Sequence, residues 1–154
     1  MSELRFRDAV RADLPAIVAM LADDGLGGGR EKVLAGTVDP AYLAAFDAVA
    51  GQAGNRIVVA EKDGALVGTM QLVIIPGLSR LGAKRAQVEA VRVATALRGH
   101  GIGEAMLRYA IEEAKKAGCK LVQLTSDKRR GRAHTFYERL GFVATHIGFK
   151  LELK

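Results

Sequence analysis

Residues 87–118 read QVEAVRVATALRGHGIGEAMLRYAIEEAKKAG, joining a strand pattern, a glycine cluster and a helix pattern without a break. QVEAVRV alternates with period two, as a strand does. Val88, Ala90 and Arg92 would face one side of a sheet, and Glu89, Val91 and Val93 the other. From Ile102 the apolar residues fall at 102, 106, 107, 110, 111 and 114, the stripe of an amphipathic helix. Glu104 with Arg108 and Glu112 with Lys116 are spaced for i,i+4 pairs on its exposed side, and Gly118 ends it. Between the two periods lie Gly99, Gly101 and Gly103, with Arg98 in front.

A chain that turns from strand to helix through such glycines can cradle an anion; a plain strand-to-helix turn is the alternative, and three glycines exceed what it needs. The first N–H groups of a helix lack intrahelical partners and point outward, and the helix dipole adds positive potential there. Glycine permits positive φ and close backbone approach, and Arg98 adds a fixed positive charge with a fork of donors. Two common nucleotide patterns fail. G-x-G-x-x-G would need a glycine at 104 or 106, which are Glu104 and Met106, and no Gly-Lys-Ser/Thr follows to complete a P-loop.

The rest of the chain predicts further elements. LRFRDAV (4–10) alternates as a strand. In the next segment Asp13 is placed to cap a helix with Pro15 in its first turn, whose apolar face is Leu14, Ile17, Val18 and Leu21. GLGGGR (25–30) breaks regular structure, and a second helix starts near Asp39–Pro40 with Leu43, Phe46 and Val49 on one side. Residues 56–75 read as a hairpin turning at Lys62-Asp63-Gly64. A loop (75–84) leads to the strand described above. KLVQLTS (120–126) is a strand, RGRAHTFYERLGF (130–142) a helix stopped at Gly141, and two short strand-like pieces close the chain. The order predicts one mixed α/β domain over 1–154, with helices packed on a single sheet.

Composition narrows the function. With 154 residues and 49% apolar content the chain can bury a core, and no apolar run is long enough for a membrane span. The charged N-terminus differs from a secretory leader, so a cytoplasmic location is expected. Cys119 is the only cysteine, which rules out an intrachain disulfide and makes a small core residue the plain reading of that thiol. His100, His134 and His146 share no ligand spacing, so no metal site is expected. The net charge of +6 favours anionic partners, but with five Phe, three Tyr and no Trp there is no platform for stacking nucleic-acid bases. A small polyanionic ligand fits the charge.

The motifs resemble those of one family. Arg98-x-x-Gly101-x-Gly103 is similar to the R/Q-x-x-G-x-G/A signature of the GNAT N-acetyltransferases, VEAVRVATALRG resembles the strand leading into that loop, and AHTFYERLGFV (133–143) resembles the family's tyrosine helix. The resemblance covers nearly the whole chain and implies a mostly antiparallel sheet with splayed strands, flanked by about four helices. It implies acetyl-CoA as co-substrate and no metal. The pyrophosphate would sit on the backbone of Arg98, Gly99, His100, Gly101, Ile102, Gly103 and Glu104, and the pantetheine arm would pair with Val91, Arg92 and Val93 as an added strand.

The implied reaction is transfer of acetyl to a primary amine by direct attack, with Tyr137 as general acid and an N–H near Val91 polarising the carbonyl. Glu89, two residues before Val91 and so expected on its face, is the candidate base; a sheet carboxylate paired with a basic neighbour is the alternative. Tyr137 as a core aromatic is the alternative to the acid. Where many members have asparagine seven residues before the tyrosine, this chain has Arg130, and where some have a glutamate it has Thr125. GLGGGR would lie near the acceptor as a substrate lid, with Asp23, Asp24 and Glu31 available to a cationic amine. The acceptor is expected to be a small molecule. A protein or peptide amine, or a non-catalytic acyl-CoA sensor, are the other readings. The C-terminal strands could join two copies into a homodimer.

Overall fold

The computed structural model describes residues 3–154, which fall into two compact units, the described part of Met1–Gln123 and Leu124–Lys154. In the first unit the element order is β1 (Arg5–Asp8), α1 (Leu14–Ala22), β2 (Val33–Leu34), β3 (Thr37–Val38), α2 (Pro40–Ala50), β4 (Asn55–Lys62), β5 (Ala65–Ile75), a single turn α3 (Ser79–Gly82), β6 (Arg85–Val93), α4 (Ile102–Lys116) and β7 (Leu121–Gln123). The main sheet runs β1-β4-β5-β6-β7, antiparallel except for the β6–β7 pair, and β2 with β3 makes a separate small hairpin.

The hairpin turn is where the Asp-Gly signal puts it. Asp63 (φ 54°) and Gly64 (φ 76°) both take left-handed dihedrals, the geometry that follows the twist of two paired strands. The core is formed by the central strands, which are buried on both faces at Val58 and Val59, and by one face of α4: Val58, Val59, Met70, Leu72, Met106 and Leu107 are the largest fully buried side chains. α4 can approach the sheet closely because β5 carries Gly68; a Cβ there would lie 2.5 Å from Met106 Sδ. Arg56 fixes the far half of the helix, donating to Asp8 (2.7 Å) and Glu113 (3.0 Å) and to the Tyr109 hydroxyl (3.0 Å), while Tyr109 stacks on Phe6 at 4.7 Å.

Several expectations change. Asp13 does not cap α1 through its side chain. Its carboxylate instead takes both guanidinium nitrogens of Arg7 (2.7 and 3.0 Å) and the Val10 N–H (2.8 Å). α1 buries Met20 with Leu14, Ile17 and Val18, and Leu21 is only half-buried. Asp39 does cap α2, accepting from Ala41 N–H at 2.9 Å. GLGGGR contains a 3-10 turn at Gly28–Arg30, and the unanticipated β2–β3 hairpin places Val38 against Leu14 and Val18. On α4, Glu112 pairs with Lys115 and Glu113 with Lys116, in place of Glu112 with Lys116.

In the second unit, Leu124–Lys154, α5 (Gly131–Arg139) is shorter than the 130–142 expected, and Gly141 (φ 97°) lies just past its end. The two closing strands are not formed, since residues 140–154 pair with no strand. β7 likewise keeps only three of the seven residues expected to be extended.

Candidate active site

The loop after β6 has the shape its glycines suggest. A 3-10 turn at Thr95–Leu97 leads into Gly99 (φ 83°) and Gly101 (φ 81°), and Gly101 is the N-cap of the 15-residue α4. At both glycines a Cβ would meet nothing within 4 Å, so glycine is required by the dihedral and the space beside it is open. Ala105 N–H makes the first helical bond, to Gly101 O (3.1 Å), so the N–H groups of Ile102, Gly103 and Glu104 stand ahead of the ladder. Gly101 has no side chain with which to cap them. Ile102, 5% exposed, anchors the helix start in the core, while Arg98, Gly99, His100, Gly101 and Glu104 are exposed. Glu104 is held by Arg108 at 2.7 Å, which draws its charge along the helix.

The strand before the loop differs from regular alternation. Thr69 stands opposite Arg92 and Gln71 opposite Glu89, so two residues of β6, Ala90 and Val91, oppose Met70 alone. This is a β-bulge, and Ala90 carries φ 51°. The inserted residue interrupts the period-two pattern, so the spacing of two no longer assigns Glu89 and Val91 to one face. Glu89 and Ala90 are exposed in succession, whereas Ala86 and Val88 are buried. β6 pairs with β7 only over Arg85–Gln87, leaving its stretch from 88 to 93 beyond the ladder on that side. The strands therefore part just ahead of the glycine loop, and the strand edge beyond the β6–β7 ladder runs into that loop and the start of α4 within one unit.

The expected polar residues have definite partners. Glu89 accepts from Gln87 Nε2 (3.0 Å), and Gln87 in turn accepts from Gln123 (2.7 Å), so its partner is an amide and not the basic neighbour of the alternative reading. Arg98 does not point outward as a free donor: it donates to Asp23 O (2.9 Å) and Val93 O (3.3 Å). Its charge thereby sits against the C-terminal end of α1, where a helix favours a cation. Thr95 bonds the Asp23 carboxylate, and Arg92 pairs with Asp24 at 3.0 Å, with side chains 20% and 4% exposed. Asp23 and Asp24, offered above to a cationic amine, are thus used in strapping the end of α1 to β6 and its loop. Glu31 accepts from the Tyr42 hydroxyl at 3.5 Å. The His100 ring lies against Leu97 O and Arg98 O, leaving its backbone for the loop.

The second unit holds the tyrosine helix. Tyr137 is half-buried and packs edge-on against Phe136 (5.2 Å) and Phe142 (5.9 Å). Arg130 is the N-cap of α5, and its N–H donates to Asp127 O (2.9 Å), as the His134 ring does from Nε2 (2.9 Å). Arg129 beside it holds the Asp127 carboxyl well below the usual carboxylate range. Among the described residues no cluster of His, Cys, Asp or Glu could hold a metal ion, and no helix is long and apolar enough to cross a membrane.

Sequence reasoning missed the Ala90 bulge and the Asp24–Arg92 strap. The first needs the register against β5. The second joins residues 68 apart, with no local signal.

Comparison with known proteins settles the family. The acetyltransferase (GNAT) family model matches residues 31–142, a span that includes the glycine loop and the tyrosine helix. The chain belongs to the GNAT acetyltransferase family. It is 36% identical over 63 residues to an aminoalkylphosphonate N-acetyltransferase of Salmonella typhimurium, a match covering 41% of each chain. It is 32% identical over 99 residues to the glucosamine 6-phosphate N-acetyltransferase of Trypanosoma brucei brucei, covering 64% of this chain and 65% of that one. The matches thus span about two fifths to two thirds of those relatives. A solved structure from Bacillus halodurans C-125, described as a transcriptional regulator, superposes with TM-score 0.94 at 41% identity, over 98% of this chain and 100% of its own. The mostly antiparallel sheet with five helices is the fold of this family.

Proposed function

We propose that this GNAT protein transfers acetyl from acetyl-CoA to the primary amine of a small molecule, its two compact units serving as one catalytic domain. The observation that carries the reading is the bulged strand β6, parted from β7 and running straight into the left-handed Gly99–Gly101 loop and the start of α4. The open space at both glycines and the helix start that no side chain caps fit a pyrophosphate.

Acetyl-CoA supplies a thioester carbonyl open to attack by an unprotonated amine. The chain's residues bind, orient and move protons around it. Backbone N–H groups from Gly99 to Glu104 hold the pyrophosphate, and the edge of Val91, Arg92 and Val93 orients the pantetheine amides. A strand N–H at Val91 polarises the carbonyl oxygen. Glu89 takes the amine proton at its carboxylate, directly or through water, and Tyr137 Oη gives a proton to the departing sulfur. Arg98 acts by fixing the loop to the end of α1.

For the acceptor, both curated relatives are described by amines that also carry a phosphonate or phosphate, and the net charge of +6 favours such anions. The same reading carries a cytoplasmic location and a homodimer. A second reading, a non-catalytic acyl-CoA sensor, is favoured by the description of the Bacillus halodurans structure as a transcriptional regulator. Free thiol release separates the two: purified protein is mixed with acetyl-CoA and a panel of amines with and without a phosphate group. Turnover, greatest on phosphate-bearing amines, is expected. Tight acetyl-CoA binding without turnover on any amine supports the sensor.

A further inference from the structure

We propose that Arg85, Gln123 and Gln87 form a directed hydrogen-bond relay that positions the Glu89 carboxylate for the amine. The inference deepens the acetyl-transfer reading and rests on its assignment of Glu89 as the proton acceptor. All four residues lie in the first unit.

The relay is a line of three bonds. Arg85 Nη1 donates to Gln123 Oε1 (3.0 Å), Gln123 Nε2 to Gln87 Oε1 (2.7 Å), and Gln87 Nε2 to Glu89 Oε1 (3.0 Å). Its two ends fix the orientation of both amides. A guanidinium can only donate, so Gln123 must present its carbonyl to Arg85 and its amino group to Gln87. Gln87 must then present its carbonyl to Gln123, which leaves its amino group for Glu89. An ionised carboxylate can only accept, so the last bond closes with the polarity that the first one imposes. Turning either amide over would set donor against donor and acceptor against acceptor. The amide dipoles are therefore aligned, with their positive ends toward the carboxylate, and each bond polarises the next.

The register explains why these residues meet. Arg85, Gln87 and Glu89 precede the Ala90 bulge and keep the period of two, so they share one face of β6. Gln123 is the register partner of Gln87, in the last pair of the β6–β7 ladder. Glu89 lies just beyond that pair, where the strands part. It is exposed there, while Arg85, Gln87 and Gln123 are half-buried. An unheld glutamate in such a place samples several rotamers, and ordering one has an entropic cost. The relay carries order from the paired end of the strand to a side chain that has left the ladder.

Three facts favour positioning over simple bracing of the strands. Gln71, directly opposite Glu89 on β5, donates to Asn55 Oδ1 (2.8 Å), so the cross-strand amide is engaged elsewhere. Arg85 makes no ion pair with a carboxylate among the described residues, and its printed bond leads into the amide line. Glu89 is held at Oε1, and among the described residues Oε2 has no partner, which leaves one oxygen for the substrate.

The test is steady-state kinetics of the full chain with acetyl-CoA and glucosamine 6-phosphate or an aminoalkylphosphonate, for Gln123→Met, Glu89→Gln and the double variant. Gln123→Met keeps the side-chain volume and breaks the relay two bonds from the carboxylate. Its kcat is expected to fall about 10-fold while acetyl-CoA affinity changes by less than about twofold. In the Glu89→Gln background the same substitution should cost nothing further, because no carboxylate remains to be aimed. A further fall there, or an unchanged kcat in Gln123→Met alone, overturns the relay. Wild-type kcat in Glu89→Gln overturns instead the underlying assignment of Glu89 as the base. NMR supplies a readout that needs no turnover and decides the relay if Gln123→Met does not fold or if neither amine is acetylated. In Glu89→Met, a change at an exposed position, the side-chain amide resonances of both Gln87 and Gln123 should move, although Gln123 is bonded to Gln87 and not to residue 89. A Gln123 resonance that stays in place overturns the proposal.

Discussion

Replacing Asp24 with leucine should destabilise the protein more than its distance from the glycine loop suggests. The carboxylate, 4% exposed, lies 3.0 Å from the Arg92 guanidinium, itself only 20% exposed. Leucine there removes the counter-charge that pairs with that guanidinium. Arg92 Nε already lacks a hydrogen-bond partner, so the loss falls on a cation with little reserve. Breaking a buried pair from one side costs about 3–5 kcal/mol. Arg92 retains some solvent and its bond to Val91 O (2.9 Å), which puts the expectation near the lower end, about 3 kcal/mol. For a chain of this size that is a fall in melting temperature of roughly 6–12 °C. Thermal unfolding followed by circular dichroism measures it. The double variant Asp24→Leu, Arg92→Met removes both charges and should recover most of the loss. A single variant melting within about 2 °C of wild type, or a double variant no better than the single, would refute the reasoning.

Other expectations follow from particular contacts. Gly68→Val should cost about 1–3 kcal/mol, seen as a lower melting temperature, because its side chain meets Met106 Sδ and the Arg92 carbonyl. Arg7 and the Val10 N–H hold the Asp13 carboxyl below its ordinary range. Its contribution to stability is therefore complete above the unfolded value near 4 and is lost as pH falls through the folded one. Asp13→Asn should accordingly lower stability near neutrality and flatten the acid limb of the unfolding profile. Tyr137→Phe should reduce kcat by about 100-fold while acetyl-CoA affinity changes by less than about twofold; unchanged turnover would remove Tyr137 as the acid.

What could be read from the sequence was what local rules govern. The passage from β6 through the glycines to α4 follows from a change of period and the residues needed at positive φ. The Asp63-Gly64 turn follows from the same chemistry. The bulge at Ala90 had no such signal, since alanine at φ 51° is dictated by pairing with β5 and not by its own preference. It reset the faces on which the reading of Glu89 and Val91 depended. Asp23 and Asp24 looked like a lure for a cationic amine because the partners that claim them, Arg92, Thr95 and Arg98, come some 70 residues later. The C-terminal alternation predicts two closing strands that do not form, since a strand forms only where another strand offers its edge. That edge cannot be read from the segment itself.

The central claim is that the Gly99–Gly101 loop and the start of α4 bind the phosphates of acetyl-CoA. Titration calorimetry of acetyl-CoA into the wild-type protein and into Gly101→Glu tests it most directly. Gly101 sits at φ 81° with open space where a side chain would project, so glutamate adds both left-handed strain and a negative charge at the helix start. Binding is expected to weaken by about 100-fold or more, with the folded state retained. An unchanged affinity in that variant would contradict the account.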